Sequence, residues 1–208
     1  LQEMNPNNIQ QLRKELLEQR QSLAHDTALY NSIVLQIHEH VLIALNALAH
    51  IQTIALYWPI RGEPDIRAVL IDWCCQNPKR RLALPITKKN QPLTFHEWAF
   101  DTEMKPGLAN IPEPFQTPAI EPDLVFAPCL GWQGFDQRFW RLGYGGGYYD
   151  RSFADFAFVA NPPIFLGIGL EEFELSPIQW QTQPHDIALD GIITEKNSRY
   201  SKGFLPHQ

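Results

Sequence analysis

Apolar positions in the first fifth of the chain recur at helical spacing, and further on they gather into short runs. Ile9, Leu12, Leu16 and Leu23 follow Asn5-Pro6, a capping residue and a proline suited to the first helical position, and predict a helix to about Ala24. Asp26 is placed to cap a second helix, whose Leu29, Ile33, Ile37, Val41, Leu45 and Leu48 form one apolar stripe. "TIALYW" (53–58), ended by Pro59, then reads as a strand, "DIRAVLIDWCCQN" (65–77) as a helix, and "RLALP" (81–85) and "PLTFHEW" (92–98) as strands. The proline-rich stretch 101–122 lacks a strong period and reads as an ordered surface excursion.

Three continuous apolar runs follow: "DLVFAP" (123–128), "IFLGIGL" (164–170) and "DGIIT" (190–194). Runs of this kind suit strands covered on both faces. Strands separated by helices imply an α/β layered fold with a mostly parallel sheet flanked by helices, and ligands outside the carboxyl ends of its strands.

The 208 residues suffice for one well-cored domain, so 1–208 is read as a single domain. Hydrophobic residues at 44% and charged residues at 19% are a globular composition, and a net charge of -6 argues against nucleic acid as a partner. The apolar stretch 40–51 is interrupted by Asn46 and falls short of the roughly 20 residues of a membrane span. An N-terminus without an apolar signal core or an arginine-rich transit pattern implies a cytoplasmic protein. The three cysteines, Cys74, Cys75 and Cys129, match neither a metal spacing nor a disulfide framework and are expected as buried thiols.

Candidate chemistry concentrates in "WRLGYGGGYYDRSF" (140–153). Six of the twelve glycines lie between Gly131 and Gly147, after the "DLVFAP" strand and before an apparent helix, "GYYDRSFADFAF" (147–158). Glycines permit close approach of backbone N–H groups, and a helix's first turn adds more, so the stretch suits an anion cradle; a plain flexible turn is the alternative. It matches neither a Walker loop nor the full GxGxxG pattern. Arg138, Arg141 and Arg151 add positive charge around it. Asp150 is either a hard ligand for magnesium or an ordinary first-turn carboxylate. Elsewhere, Trp58 ends the first strand and Glu63 follows it, with a core residue and a turn residue as their plain readings, and "QPHDIALD" (183–190) offers Asp186, Asp190 and a His185 that reads as a surface or hydrogen-bonded residue. No Ser-His-Asp order or HExxH motif supports nucleophilic or zinc hydrolysis.

With "LVFAPCLGWQGFDQRFWRLGYGGGYYDR", "LRKELLEQR", "YWPIRGEPD" and "HDIALDGIIT" in this order, the chain resembles the 5-formyltetrahydrofolate cyclo-ligase family over nearly its whole length. The resemblance implies a fold related to certain sugar-phosphate isomerases and CoA transferases. It also implies an ATP- and magnesium-dependent ligase converting 5-formyltetrahydrofolate to 5,10-methenyltetrahydrofolate, with 5-formyltetrahydrofolate and ATP as its small-molecule partners, acting as a monomer or weak homodimer. By position, Arg13 and Arg141, Leu142, Gly143, Tyr144, Gly145, Gly146, Gly147, Tyr148 and Tyr149 fall on ATP contacts, Arg141 also as the catalytic cation. Trp58, Glu63 and Tyr144 to Tyr148 fall on folate contacts, and Asp150 and Asp186 on magnesium positions. Some members carry lysine where this chain has Ile9, and Gly-Lys-Gly where it has Gly145-Gly146-Gly147. Those departures leave open a non-catalytic folate- or nucleotide-binding relative, and the anion loop would also suit a sugar-phosphate isomerase or transferase.

Overall fold

A computed structural model describes residues 6–156 and 158–204. The chain runs α1 (Pro6–His25), α2 (Thr27–Ala47), β1 (Thr53–Ala55), α3 (Arg67–Cys75), β2 (Arg81–Ile86), β3 (Thr94–Trp98), β4 (Met104–Pro106), β5 (Pro112–Pro114) and β6 (Leu124–Pro128). It continues β7 (Gly131–Phe135), β8 (Arg138–Leu142), α4 (Tyr148–Phe156), β9 (Ile164–Ile168), β10 (Gly191–Ile193) and β11 (Ser198–Tyr200). Asn5, the expected first cap, and Ala157, inside the expected fourth helix, lie outside the described residues. Asp26 does cap α2, accepting from the Leu29 N–H at 3.1 Å.

The main sheet has seven strands in the order β11-β10-β9-β6-β1-β2-β3. The inner pairs β10-β9, β9-β6, β6-β1 and β1-β2 are parallel, and antiparallel β11 and β3 close the edges. The chain passes from β1 outward to β2 and β3, then returns to place β6 on the other side of β1. A crevice therefore opens between the carboxyl ends of β1 and β6, where the winding reverses.

Alternation along the strands assigns the two faces. Ile54, Leu56, Leu82, Leu84, Leu124 and Phe126 point to the side covered by α1, α2 and α3. Ala55, Ala83, Val125 and Ala127 point to the opposite side, where Phe153 of α4 and Trp132 and Phe139 of the β7–β8 hairpin pack. Small side chains on three central strands let that second layer come close, and Phe153 stacks on Phe165 with ring centroids 3.8 Å apart.

By length and mean hydropathy, 1.2 over its most apolar window, α2 could cross a membrane. In this fold it covers the sheet, burying Ile37, Val41, Ala44 and Leu45, while Leu29 at the start of the expected stripe is 49% exposed. The cysteines depart from expectation too. Only Cys129 is buried; Cys75 is exposed, because neighbours on a helix point about 100° apart and Cys74 takes the inward side.

Candidate active site

A cavity of about 360 Å³ occupies the crevice at the carboxyl ends of β1 and β6. Its walls come from the start of α1, the loop after β1, the tip of the β4–β5 hairpin, the stretch from β8 into α4, and the segment before β10. Every residue singled out by the family motifs lines it: Arg13, Trp58, Glu63, the run Arg141 to Asp150, and Asp186. Two cations expected near the glycines do not line it. Arg138 sits near the tip of the β7–β8 hairpin, and Arg151 braces the loop from outside, its Nη2 donating to the Gly146 carbonyl at 2.8 Å.

The glycine loop reaches the crevice by a route not visible in the sequence. It does not follow β6 directly. The β7–β8 hairpin intervenes, turning at Asp136 and Gln137 with φ of 49° and 55°, and returns the chain to its starting point, where the Leu130 N–H donates to the Leu142 carbonyl at 2.9 Å. Leu142 is buried there, and the loop crosses to α4 with φ of +98° at Gly145 and +63° at Gly147, conformations that favour glycine. Gly146 has no such φ; a Cβ there would lie 2.7 Å from the Tyr148 ring. The first helical bond of α4 is donated by Arg151 to the Gly147 carbonyl at 3.1 Å, so the N–H groups of Tyr148, Tyr149 and Asp150 have no helical acceptor. They form the positive end of the α4 dipole, beside the cavity.

Fixed cations flank this end. Arg13 Nε donates to the Gly143 carbonyl at 2.9 Å. Burial lowers the pKa of Arg13; the nearby Asp186 carboxylate opposes that and the charge of Arg141 adds to it. Arg141 is buried, donates from Nε to the Pro128 carbonyl at 3.3 Å and lies 4.8 Å from the Tyr149 ring centroid. Its Nη1 is 3.7 Å from Asp150 Oδ2.

Asp150 Oδ1 is buried and, among the described residues, has no hydrogen-bond partner. Asp186, whose Oδ2 accepts from the Gln183 N–H at 2.7 Å, has its pKa raised by burial, and the Asp150 charge adds to that rise. Two carboxylates that repel each other, one with an orphaned oxygen, form a donor set that a hard divalent cation would relieve. Among the described residues no three His, Cys, Asp or Glu side chains gather in one place, so an ion here would take its remaining oxygens from water and phosphate. Asp190 belongs elsewhere: at the amino ends of the strands it accepts from the Phe165 N–H at 2.8 Å. His185 is exposed on the rim.

Across the cavity, Glu63 closes a tight turn. Its N–H donates to the Ile60 carbonyl at 2.9 Å, and its Oε2 accepts from the Ile60 N–H at the same distance. Glu63 is 5% exposed, and burial raises its pKa. Tyr144 reaches over from the glycine loop to donate to Glu63 Oε1 at 3.0 Å. The Arg67 guanidinium holds Trp58 from 4.1 Å above its ring and is itself paired with Asp65 at 2.7 Å.

The motif reading passed over Arg20, which is 1% exposed and donates to the Tyr144 hydroxyl. Its signal was its place two helical turns after Arg13, on the face of α1 that also carries the buried Leu16. The reading also missed the wall made by Leu108, Ala109 and Ile111, in the tip of the β4–β5 hairpin within the proline-rich excursion.

Fold and site together define an α/β protein in which the amino end of α4, flanked by arginines, and a carboxylate-bearing loop face each other at a switch point. The sequence profile of the 5-formyltetrahydrofolate cyclo-ligase family matches residues 5–195. A 5-formyltetrahydrofolate cyclo-ligase from Haemophilus influenzae is 32% identical over 195 residues, spanning 88% of this chain and 98% of that one. The chain belongs to this family of enzymes. Its fold matches a 5,10-methenyltetrahydrofolate synthetase from Mycoplasma pneumoniae with a TM-score of 0.71 at 24% identity, covering 90% of this chain and 98% of that one. An Aquifex aeolicus 5,10-methenyltetrahydrofolate synthetase matches with a TM-score of 0.69 at 23% identity, covering 96% of each.

Proposed function

We propose that residues 1–208 act as a single domain that converts 5-formyltetrahydrofolate and ATP to 5,10-methenyltetrahydrofolate, ADP and phosphate. The observation that carries this reading is the convergence, on one cavity, of the glycine loop with its flanking arginines and the loop of Trp58 and Glu63. The triphosphate lies against the α4 amino end, with Arg13 and Arg141 as its cations. Ile9 and Gly146, at positions where other members carry lysine, line the same cavity and leave these arginines to supply the charge. The folate occupies the opposite half, with Glu63 accepting hydrogen bonds from its ring and Trp58 and Tyr144 as apolar walls.

The chemistry follows from what the formyl group lacks. A formamide oxygen is a poor leaving group, so N10 cannot close the ring until that oxygen is activated. The oxygen attacks the γ-phosphorus and the bond to ADP breaks. N10 then bonds to the formyl carbon, the C–O bond cleaves to release phosphate, and N10 loses its proton. Arg141 and Arg13 stabilise charge on the transferring group, which is the main work a protein does in phosphoryl transfer. Asp150 and Asp186 would hold a magnesium ion, which neutralises phosphate charge when bound. No covalent protein nucleophile is needed, and Cys129 is unsuited to that part, since burial pushes its thiol up to about 12. Incubation with ATP, magnesium and 5-formyltetrahydrofolate, followed by product absorbance, tests the reading; absence of an ATP-dependent absorbance change overturns it.

A further inference from the structure

Arg20 is a buried guanidinium whose hydrogen bonds all go to neutral acceptors. Nε donates to the Arg61 carbonyl at 3.2 Å, Nη1 to the Cys129 carbonyl at 3.4 Å, and Nη2 to the Tyr144 hydroxyl. No carboxylate lies within ion-pairing distance of it among the described residues. The anion it faces is Glu63, one phenol away, because the Tyr144 hydroxyl that accepts from Arg20 donates to Glu63 Oε1 at 3.0 Å. Two buried opposite charges are thus joined through one hydroxyl, and each lessens the cost of burying the other. The arrangement is held from several sides. Gly62, next to Glu63, has φ of +76° and packs so tightly on α1 that a Cβ there would lie 3.3 Å from the Arg20 carbonyl oxygen.

We propose that Arg20 is a positioning residue for the folate half of the site: it orients the Tyr144 hydroxyl and keeps Glu63 an ionised acceptor facing the cavity. The inference rests on the reading of Glu63 as a folate contact. It adds that the contact works only while a cation stands behind it, and that the cation comes from the same helix as Arg13. The charged groups facing Glu63 are Arg20 from α1 and Arg141 from β8. The neutral titratable groups around it are Tyr30, Tyr57, Cys129, Tyr144 and Tyr149, each with its pKa raised by burial. Glu63 is therefore the group among these that loses its charge as pH falls, and loss of Arg20 removes one of the two cations that oppose its protonation.

The test is binding of 5-formyltetrahydrofolate without ATP, followed by quenching of tryptophan fluorescence from about pH 5 to pH 8, for the wild type, Arg20→Met, Arg20→Lys, Tyr144→Phe and Glu63→Gln. Arg20→Met should weaken binding about tenfold at neutral pH and move its acid limb upward by about one pH unit. Arg20→Lys, which keeps the charge, should return the limb toward its wild-type place. A strut that merely braces α1 would lower the melting temperature and weaken ATP and folate alike, with the limb unmoved; that result overturns the proposal. If Arg20→Met does not fold, Tyr144→Phe decides, because it deletes only the bridging hydroxyl, and an unmoved limb there is equally fatal. If Glu63→Gln binds folate as the wild type does, the reading beneath fails, an outcome distinct from a Glu63→Gln defect with an indifferent Arg20.

Discussion

The two ends of the parallel sheet hold carboxylates in opposite circumstances. At the amino ends, Asp123 accepts from the Gln52 and Thr53 N–H groups at 2.9 and 2.8 Å, and Asp190 from the Phe165 N–H at 2.8 Å. Each ties the start of its own strand to the start of the next. At the carboxyl ends, Asp150 has a buried oxygen without a partner among the described residues, and Asp186 and Glu63 have raised pKa values in a cavity. The backbone takes up a carboxylate oxygen at both ends, but at the carboxyl ends one buried oxygen, Asp150 Oδ1, is without a partner among the described residues. What separates structure from chemistry here is whether nearby N–H groups satisfy the oxygens.

The largest effect that sharpens this contrast is expected at Asp150. Asp150→Asn should lower turnover on the order of a hundredfold or more while barely changing the melting temperature, as expected when an electrostatic partner of the transition state is lost. Turnover across a magnesium titration checks it, and wild-type turnover at limiting magnesium would remove Asp150 from the metal site. Asp123→Ala should do the reverse. Two backbone donors lose a charged acceptor, so stability should fall by about 2 kcal/mol with kcat unchanged, as read by urea denaturation beside a steady-state assay.

A smaller effect belongs to the glycine loop. Gly146→Val forces the Tyr148 ring aside and should weaken nucleotide binding about tenfold in calorimetry, with the fold retained. Undiminished ATP affinity would break the cradle reading. The smallest effect concerns pH. Burial raises the pKa of Asp190, so its contribution is present in full at low pH and is lost as pH rises through that raised value. Asp190→Asn keeps the acceptor without the charge, and should therefore gain on the wild type between acid and neutral pH by on the order of 0.5 kcal/mol. A stability difference that does not vary with pH would contradict it.

The parts legible in the sequence are those where one cause dominates. Strands β6, β9 and β10 read as continuous apolar runs because helices and hairpin bury them on both faces, and the glycine loop announced itself by composition. The β7–β8 hairpin did not. Its turn uses Asp136-Gln137 in left-handed conformations where Asn-Gly would be the usual signal, and only parts of its strands are buried. The β4–β5 hairpin, two three-residue strands both containing proline, carries no period at all. The residues that local motifs single out could be named by position, and they line one cavity. Arg20 could not be, because its meaning depends on Tyr144 and Glu63, which only the tertiary fold brings together.

The route by which α1 serves the cavity bears on how the chain assembles. Arg13 meets the Gly143 carbonyl across 130 residues of sequence, and Arg20 meets Tyr144 across 124. Closing loops of that length costs entropy before any contact repays it, and non-local pairings of this kind slow folding. Helical turns and the β2–β3 and β7–β8 hairpins form from short-range contacts, whereas the arginines reach Gly143 and Tyr144 only after β8 and the glycine loop are in place. By this reasoning the contacts that bring α1 to the cavity are among the last to form.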